Sequence, residues 1–121
     1  MKHRLFTLLT LALIALVSSC SHSESPSLAT EHFYQAIIDK DFATAVTYTN
    51  LDSADYSEGA AFIEMFMSDL GDNPTFKVLS ESIDEGDTTA KVKVNVCFFD
   101  DDSELDVDLV LKDNEWKVLF M

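Results

Sequence analysis

Residues 88–112 read TTAKVKVNVCFFDDDSELDVDLVLK, and the period of this stretch decides the architecture. Val92, Val94, Val96 and Phe98 alternate with Lys91, Lys93, Asn95 and Cys97. Leu105, Val107, Leu109 and Leu111 alternate in the same way with Glu104, Asp106 and Asp108. A helix does not hold residues two apart on one side, whereas a strand with one buried face does. Strands are therefore predicted over 88–99 and 104–112, apolar on one face and charged on the other, as in an antiparallel sheet with one wet side. The acidic run Asp100-Asp101-Asp102-Ser103-Glu104 between them is expected as a tight turn, because aspartate tolerates turn geometry. Lys93 should then lie opposite Asp106 or Asp108, a favourable cross-strand pair.

Working outward, Phe76–Ile83 predicts an earlier strand, closed by an Asp-Glu-Gly-Asp turn at 84–87. Asp113-Asn114 turns the chain into a last strand, Glu115–Met121, with Trp116, Val118 and Phe120 on one face. Upstream of Pro74 the period changes to that of helices. Ser25-Pro26 has the form of an N-cap followed by proline at the first helical position. Ala29, Phe33, Ala36 and Ile37 then recur at helical spacing through residue 39. Lys40-Asp41 interrupts the pattern, and Asp41 is expected to cap a shorter helix carrying Phe42, Ala45, Val46 and Thr49. After a polar loop containing Asn50, Asp52 and Asp55, a third helix is predicted over 56–70. Its wide apolar face comprises Phe62, Ile63, Phe66, Met67 and Leu70, and Gly71 and Pro74 end it. The predicted fold class is α+β, with three N-terminal helices packed on a curved four-stranded antiparallel sheet.

The first 19 residues have a different character. A basic start, Met1-Lys2-His3-Arg4, precedes thirteen residues without a charge, Leu5–Val17. That is the layout of an export signal and is too short for a spanning helix, which needs about 20 apolar residues. Val17-Ser18-Ser19-Cys20 resembles a bacterial lipobox. The resemblance implies lipidation of Cys20 and cleavage between Ser19 and Cys20, with acyl chains such as palmitate as the membrane anchor. Serine rather than aspartate after Cys20 is similar to the enterobacterial pattern for the outer membrane. The expected location is thus the bacterial cell envelope, lipid-anchored, in the outer membrane. Residues 20–27 form the lipidated cysteine and a short tether, and residues 28–121 a single domain.

All 22 acidic residues follow Cys20, while Lys2 and Arg4 leave with the signal, so the mature charge is 6 minus 22, or −16. Phosphate-backbone binding needs clustered Lys and Arg, so nucleic acid is excluded as a partner. With Cys20 acylated, Cys97 is the one thiol left, and the mature chain has no internal disulfide. Metal-ligand spacings such as C-x-x-C or H-E-x-x-H do not occur. The acidic run at 100–104 lacks the spaced acids and central glycine of a calcium loop. No metal and no cofactor is expected.

The order of elements carries a further likeness. ATEHFYQAIIDKDFATAVTYTN, residues 29–50, resembles the entry of the nuclear-transport-factor-two-like cone fold, the fold of SnoaL-like and ketosteroid-isomerase-like proteins. LVLKDNEWKVLFM, residues 109–121, resembles its closing hairpin. Within that superfamily the chain is similar to small bacterial lipoproteins with one domain of unknown function, some of them lumazine-binding-like. The resemblance implies a curved sheet wrapping the helices, with room for a pocket at the open end, and it implies no reaction.

An isomerase of this fold needs a carboxylate base in an apolar pocket and a hydroxyl or protonated acid for the oxyanion. Tyr34, Tyr48 and Tyr56 can supply hydroxyls, Asp52 or Asp55 a carboxylate, and Trp116 a ring to stack on a flat ligand. Tyr34, Tyr48, Tyr56 and Trp116 are therefore the candidate pocket residues. No spacing selects a catalytic pair among them, so the expectation is a non-enzyme. Each residue has a plainer role as a packing or turn residue, and His32 one at the helix surface. Cys97, Lys91, Lys93 and Asn95 share the sheet face away from the helices, where a second copy of the chain can pack. The expected function is a lipid-anchored binding or interaction module, its partner a small molecule or an envelope protein. The alternatives are a carrier of a small apolar or heterocyclic ligand and a ketosteroid-isomerase-like enzyme. Cys20→Ser should abolish both acyl labelling and cleavage by signal peptidase II; normal palmitate incorporation by that variant would place the anchor elsewhere.

Overall fold

The computed structural model describes residues 24–120. The expected export signal, Cys20 and the expected cleavage site between Ser19 and Cys20 lie outside the described residues. Three helices precede four strands: α1 Pro26–Ile38, α2 Phe42–Thr47, α3 Tyr56–Met67, then β1 Thr75–Ile83, β2 Thr89–Phe98, β3 Asp101–Lys112 and β4 Glu115–Val118. A 3-10 turn, Ser53–Asp55, leads into α3. The strands form an antiparallel meander in the order β1-β2-β3-β4.

Local chemistry sets the helix ends. Ser25 Oγ accepts from the Leu28 backbone N–H at 3.1 Å, and Pro26 occupies the first turn of α1. At the other end Lys40 takes a left-handed φ of 59°. The Lys40 N–H then reaches Ile37 O at 3.0 Å and the Asp41 N–H reaches Ala36 O at 2.8 Å. These two bonds are the Schellman arrangement that closes a helix, made here without glycine. Asp41 caps α2 through Oδ1, which accepts from the Thr44 N–H at 3.2 Å. Gly59 is buried where α3 meets α2; a Cβ there would stand 2.5 Å from Leu51 Cδ1 and 2.8 Å from Val46 Cγ2.

The core lies between α1, α2 and the inner sheet face. Val92 and Val94 are 0% exposed, and Ile37, Val46 and Leu109 are buried with them. Opposite partners share a face, so Phe76, Val78, Val94, Val96 and Val107 point at the helices. On the outer face Lys93 lies opposite Asp106, one of the two acids expected for it, and Lys91 lies opposite Asp108. Lys91 Nζ and Asp108 Oδ1 are 3.8 Å apart at an exposed site, where such pairs contribute at most about 1 kcal/mol.

Two expectations are corrected. The turn between β2 and β3 is not the acidic run: Asp101–Glu104 belong to β3, paired with Phe98, Cys97, Val96 and Asn95. The turn consists of Phe99 and Asp100 alone, with φ of 59° and 61°. Two positive φ values match the twist of a two-residue hairpin. A phenylalanine is held there because its N–H donates to Leu70 O at 3.0 Å, and because Gly71, at φ 91°, leaves room for the Phe99 backbone. The apolar face of α3 is the second correction. Ile63 is buried, but Phe62 and Phe66 are 40% and 63% exposed and Met65 is 74% exposed. α3 packs chiefly on α2, so its outer apolar residues meet each other, Phe62 against Phe66, and the chain end, Phe62 against Phe120.

Leu109→Ala should cost about 2–5 kcal/mol, the range for emptying a filled core site. Met65→Ala should cost no more than about 0.5 kcal/mol, as for an exposed site. Urea unfolding midpoints of the two variants check this contrast.

Candidate functional site

The tyrosine and tryptophan candidates do not converge on one cavity. Tyr34 projects inward from α1 and is buried, with its ring between Phe33 at 5.3 Å and Phe76 at 5.9 Å. Burial pushes its hydroxyl above the ordinary tyrosine range, so it stays protonated. Tyr48 follows α2 and is half-buried, with its ring 5.5 Å from that of His32. Tyr56 opens α3 beside Lys112. Trp116 is half-buried on β4 opposite Leu111, packed against the core.

The two candidate carboxylates stand in solvent. Asp55 is exposed at the entry to α3. Asp52, with a side chain 78% exposed, meets Lys112 Nζ at 2.8 Å, and Lys112 also donates to Asn50 O at 3.0 Å. The hydrogen bond and charge of Lys112 hold the Asp52 carboxyl below its ordinary range. A general base in an apolar pocket needs the opposite shift. Cys97 sits half-buried on the outer sheet face, where burial, then Asp102 and Asp100, push its thiol up, away from the reactive thiolate.

A concave feature lies elsewhere, between α1 and β1, the terminal strand of the sheet among the described residues. Glu31, His32 and Gln35 of α1 face Phe76, Lys77 and Val78 of β1 across an open groove of about 400 Å³. Glu24 Oε2 accepts from His32 Nδ1 at 3.0 Å and fixes the ring at one side. Near the start of α1, Glu81 Oε1 accepts from the Ser27 N–H at 2.8 Å, so helix and strand run side by side in opposite directions. Of these residues the sequence reading singled out His32 only. The signal that could have marked the others is the polar row Ser27, Glu31 and Gln35, spaced by four and therefore one edge of α1.

Comparisons with known proteins bear on the fold. No family model matches the sequence, and no curated protein matches it. A crystal structure from Campylobacter jejuni, described as a "Putative NTF2-like transpeptidase", is similar with a TM-score of 0.63 at 19% sequence identity. The alignment covers 81% of this chain and 100% of that one.

The pair Asp52–Lys112 makes a pH prediction. A lowered Asp52 contributes stability above the unfolded aspartate value, about 3.9, and loses it as pH falls through the folded one. A raised Lys112 contributes below about 10.4 and loses its share as pH rises through its folded value. Asp52→Asn should therefore lower the thermal midpoint at pH 7, and the difference from wild type should vanish in strong acid and in strong base. A constant offset across the whole pH range would assign the effect to backbone geometry instead.

The likeness in helix order, meander and share of chain covered gives the domain an NTF2-like α+β fold.

Proposed function

We propose that the protein is a lipid-anchored module of the bacterial cell envelope that acts by binding rather than by catalysis. The observation that carries this reading is the burial of apolar side chains between α1 and the inner sheet face, with no carboxylate among them in the described residues. Val92, Val94, Ile37 and Leu109 occupy the space between α1 and the sheet, and Tyr34 closes it against Phe76. The carboxylates weighed for an isomerase, Asp52 and Asp55, are exposed. The export signal and the lipobox-like Val17-Ser18-Ser19-Cys20 support the anchor. α1 begins at Pro26, six residues after Cys20, a span of at most about 22 Å. Such a tether holds the domain close to the lipid surface. Complementary rows of Lys91 and Lys93 beside Asp106 and Asp108 on the outer face support a second copy of the chain as one partner there.

Native mass spectrometry of the lipoprotein, released gently from its own membrane, tests the reading. The expected mass is that of the acylated chain or its dimer, without a bound small molecule. A further increment that survives desalting would overturn the filled interior and make the protein a carrier.

A further inference from the structure

We infer that the groove between α1 and β1 takes an extended polypeptide segment bearing a cationic side chain, added as a fifth strand at the β1 edge. This deepens the binding reading by naming the class of partner and the place where it sits.

β1 is terminal in β1-β2-β3-β4, so one of its backbone edges has no strand partner among the described residues. Phe76 and Val78 point inward and Lys77 outward, as their cross-strand partners Val96, Val94 and Asn95 show. Three consecutive residues of alternating direction line one groove only if that groove follows the strand's edge. The edge is where backbone N–H and C=O groups stand ready to pair, and an extended peptide is the ligand that matches them.

Edge strands are commonly blunted by bulges and charges. Here the bulge lies at Leu79, where the register shifts between Val78 and Ser80. It leaves Thr75–Val78 as a regular run, and the groove lies along that run. Opposite stands α1, with Glu31 and Gln35 on the facing edge. A strand laid between them alternates its side chains, one set inward against Phe76, Val78 and α1 and the other outward beside Lys77.

Charge selects the occupant. Glu31 lines the groove, while Glu24 and Glu81 stand along α1, held by His32 and the Ser27 N–H. Lys77 is the lysine set against them, in a mature chain of 6 lysines and 22 acids. An inward Lys or Arg meets Glu31 with opposite charge and an inward acid meets it with like charge, while the outward set passes Lys77, where an apolar residue suits better than a second cation.

The test uses the full chain, ¹⁵N-labelled and held in mild detergent, with an acetylated and amidated octapeptide of alternating lysine and valine as the probe. Saturable amide shifts centred on Phe76, Lys77 and Val78 are expected. Glu31→Lys, at an exposed position that leaves the fold intact, should weaken binding at least tenfold. Two further probes carry backbone N-methyl groups on alternate residues in the two possible phases. One phase should abolish binding and the other should leave it, because only one peptide edge pairs with β1. Equal binding by both phases, shifts confined to the acidic outer face of β3, or no saturable shift at millimolar peptide would each overturn the proposal. Loss of peptide binding alone leaves the lipid-anchored module standing, since acyl labelling and native mass do not depend on the groove.

Discussion

The fold depends on one joint, where Val118 of β4 meets the end of α2. Val118 is buried between two backbone partners: it pairs with Leu109 in the sheet and forms a parallel bridge with Thr49. Its N–H donates to Tyr48 O at 2.7 Å, and its carbonyl accepts from the Asn50 N–H at 3.0 Å. Three further bonds close on the same short segment. Lys117 Nζ donates to Thr47 O at 2.8 Å, Lys112 Nζ to Asn50 O at 3.0 Å, and the Phe120 N–H to Asn50 Oδ1 at 2.7 Å. A helix ends with four carbonyls that lack intrahelical partners. Strand and lysine donors meet the carbonyls at and just beyond the end of α2. The helical layer is thereby fixed in register to the sheet across some seventy residues of sequence.

Given that joint, the sheet's two faces take opposite chemistry. The inner face of β2 is a row of valines closed off by α1, and β-branched side chains pack a pleated surface without much rotamer loss. The outer face sets a lysine row against an acidic row in direct register. This pairing partly neutralises the sheet within a chain of strongly negative charge, and it leaves Asp100, Asp101 and Asp102 at the hairpin end without lysine opposite. On the proposed reading, binding falls to the margins rather than to the interior. The β1 edge beside α1, without a strand partner among the described residues, is one such margin, and the apolar edge of α3 is another.

Much of this was legible in the residues. The alternation over 88–99 and 104–112, the Ser25-Pro26 and Asp41 caps, the Lys40 break and the pairing of Lys93 with Asp106 or Asp108 all follow from rules that act over a few residues. The acidic run was misplaced because turn propensity is weak beside a tertiary hydrogen bond; Phe99 turns where Leu70 offers a carbonyl. The face of α3 was misjudged for a related reason. Helical spacing shows which residues share a side, but it does not say whether a neighbour covers that side, and α3 turns Ile63 rather than Phe66 inward.

The tyrosines and tryptophan show the same boundary. Each was marked by its chemistry, yet Tyr34 lies in the core, Tyr48 beside His32, Tyr56 beside Lys112 and Trp116 against Leu111. The sequence by itself determined the class of each element, the order of layers and the apolar side of β2, β3 and β4, because these depend on spacing along the chain. Tertiary structure alone decided which apolar residues stay exposed, which carboxylates are paired and where a groove opens. Those depend on distances between elements far apart in sequence, which no local period encodes.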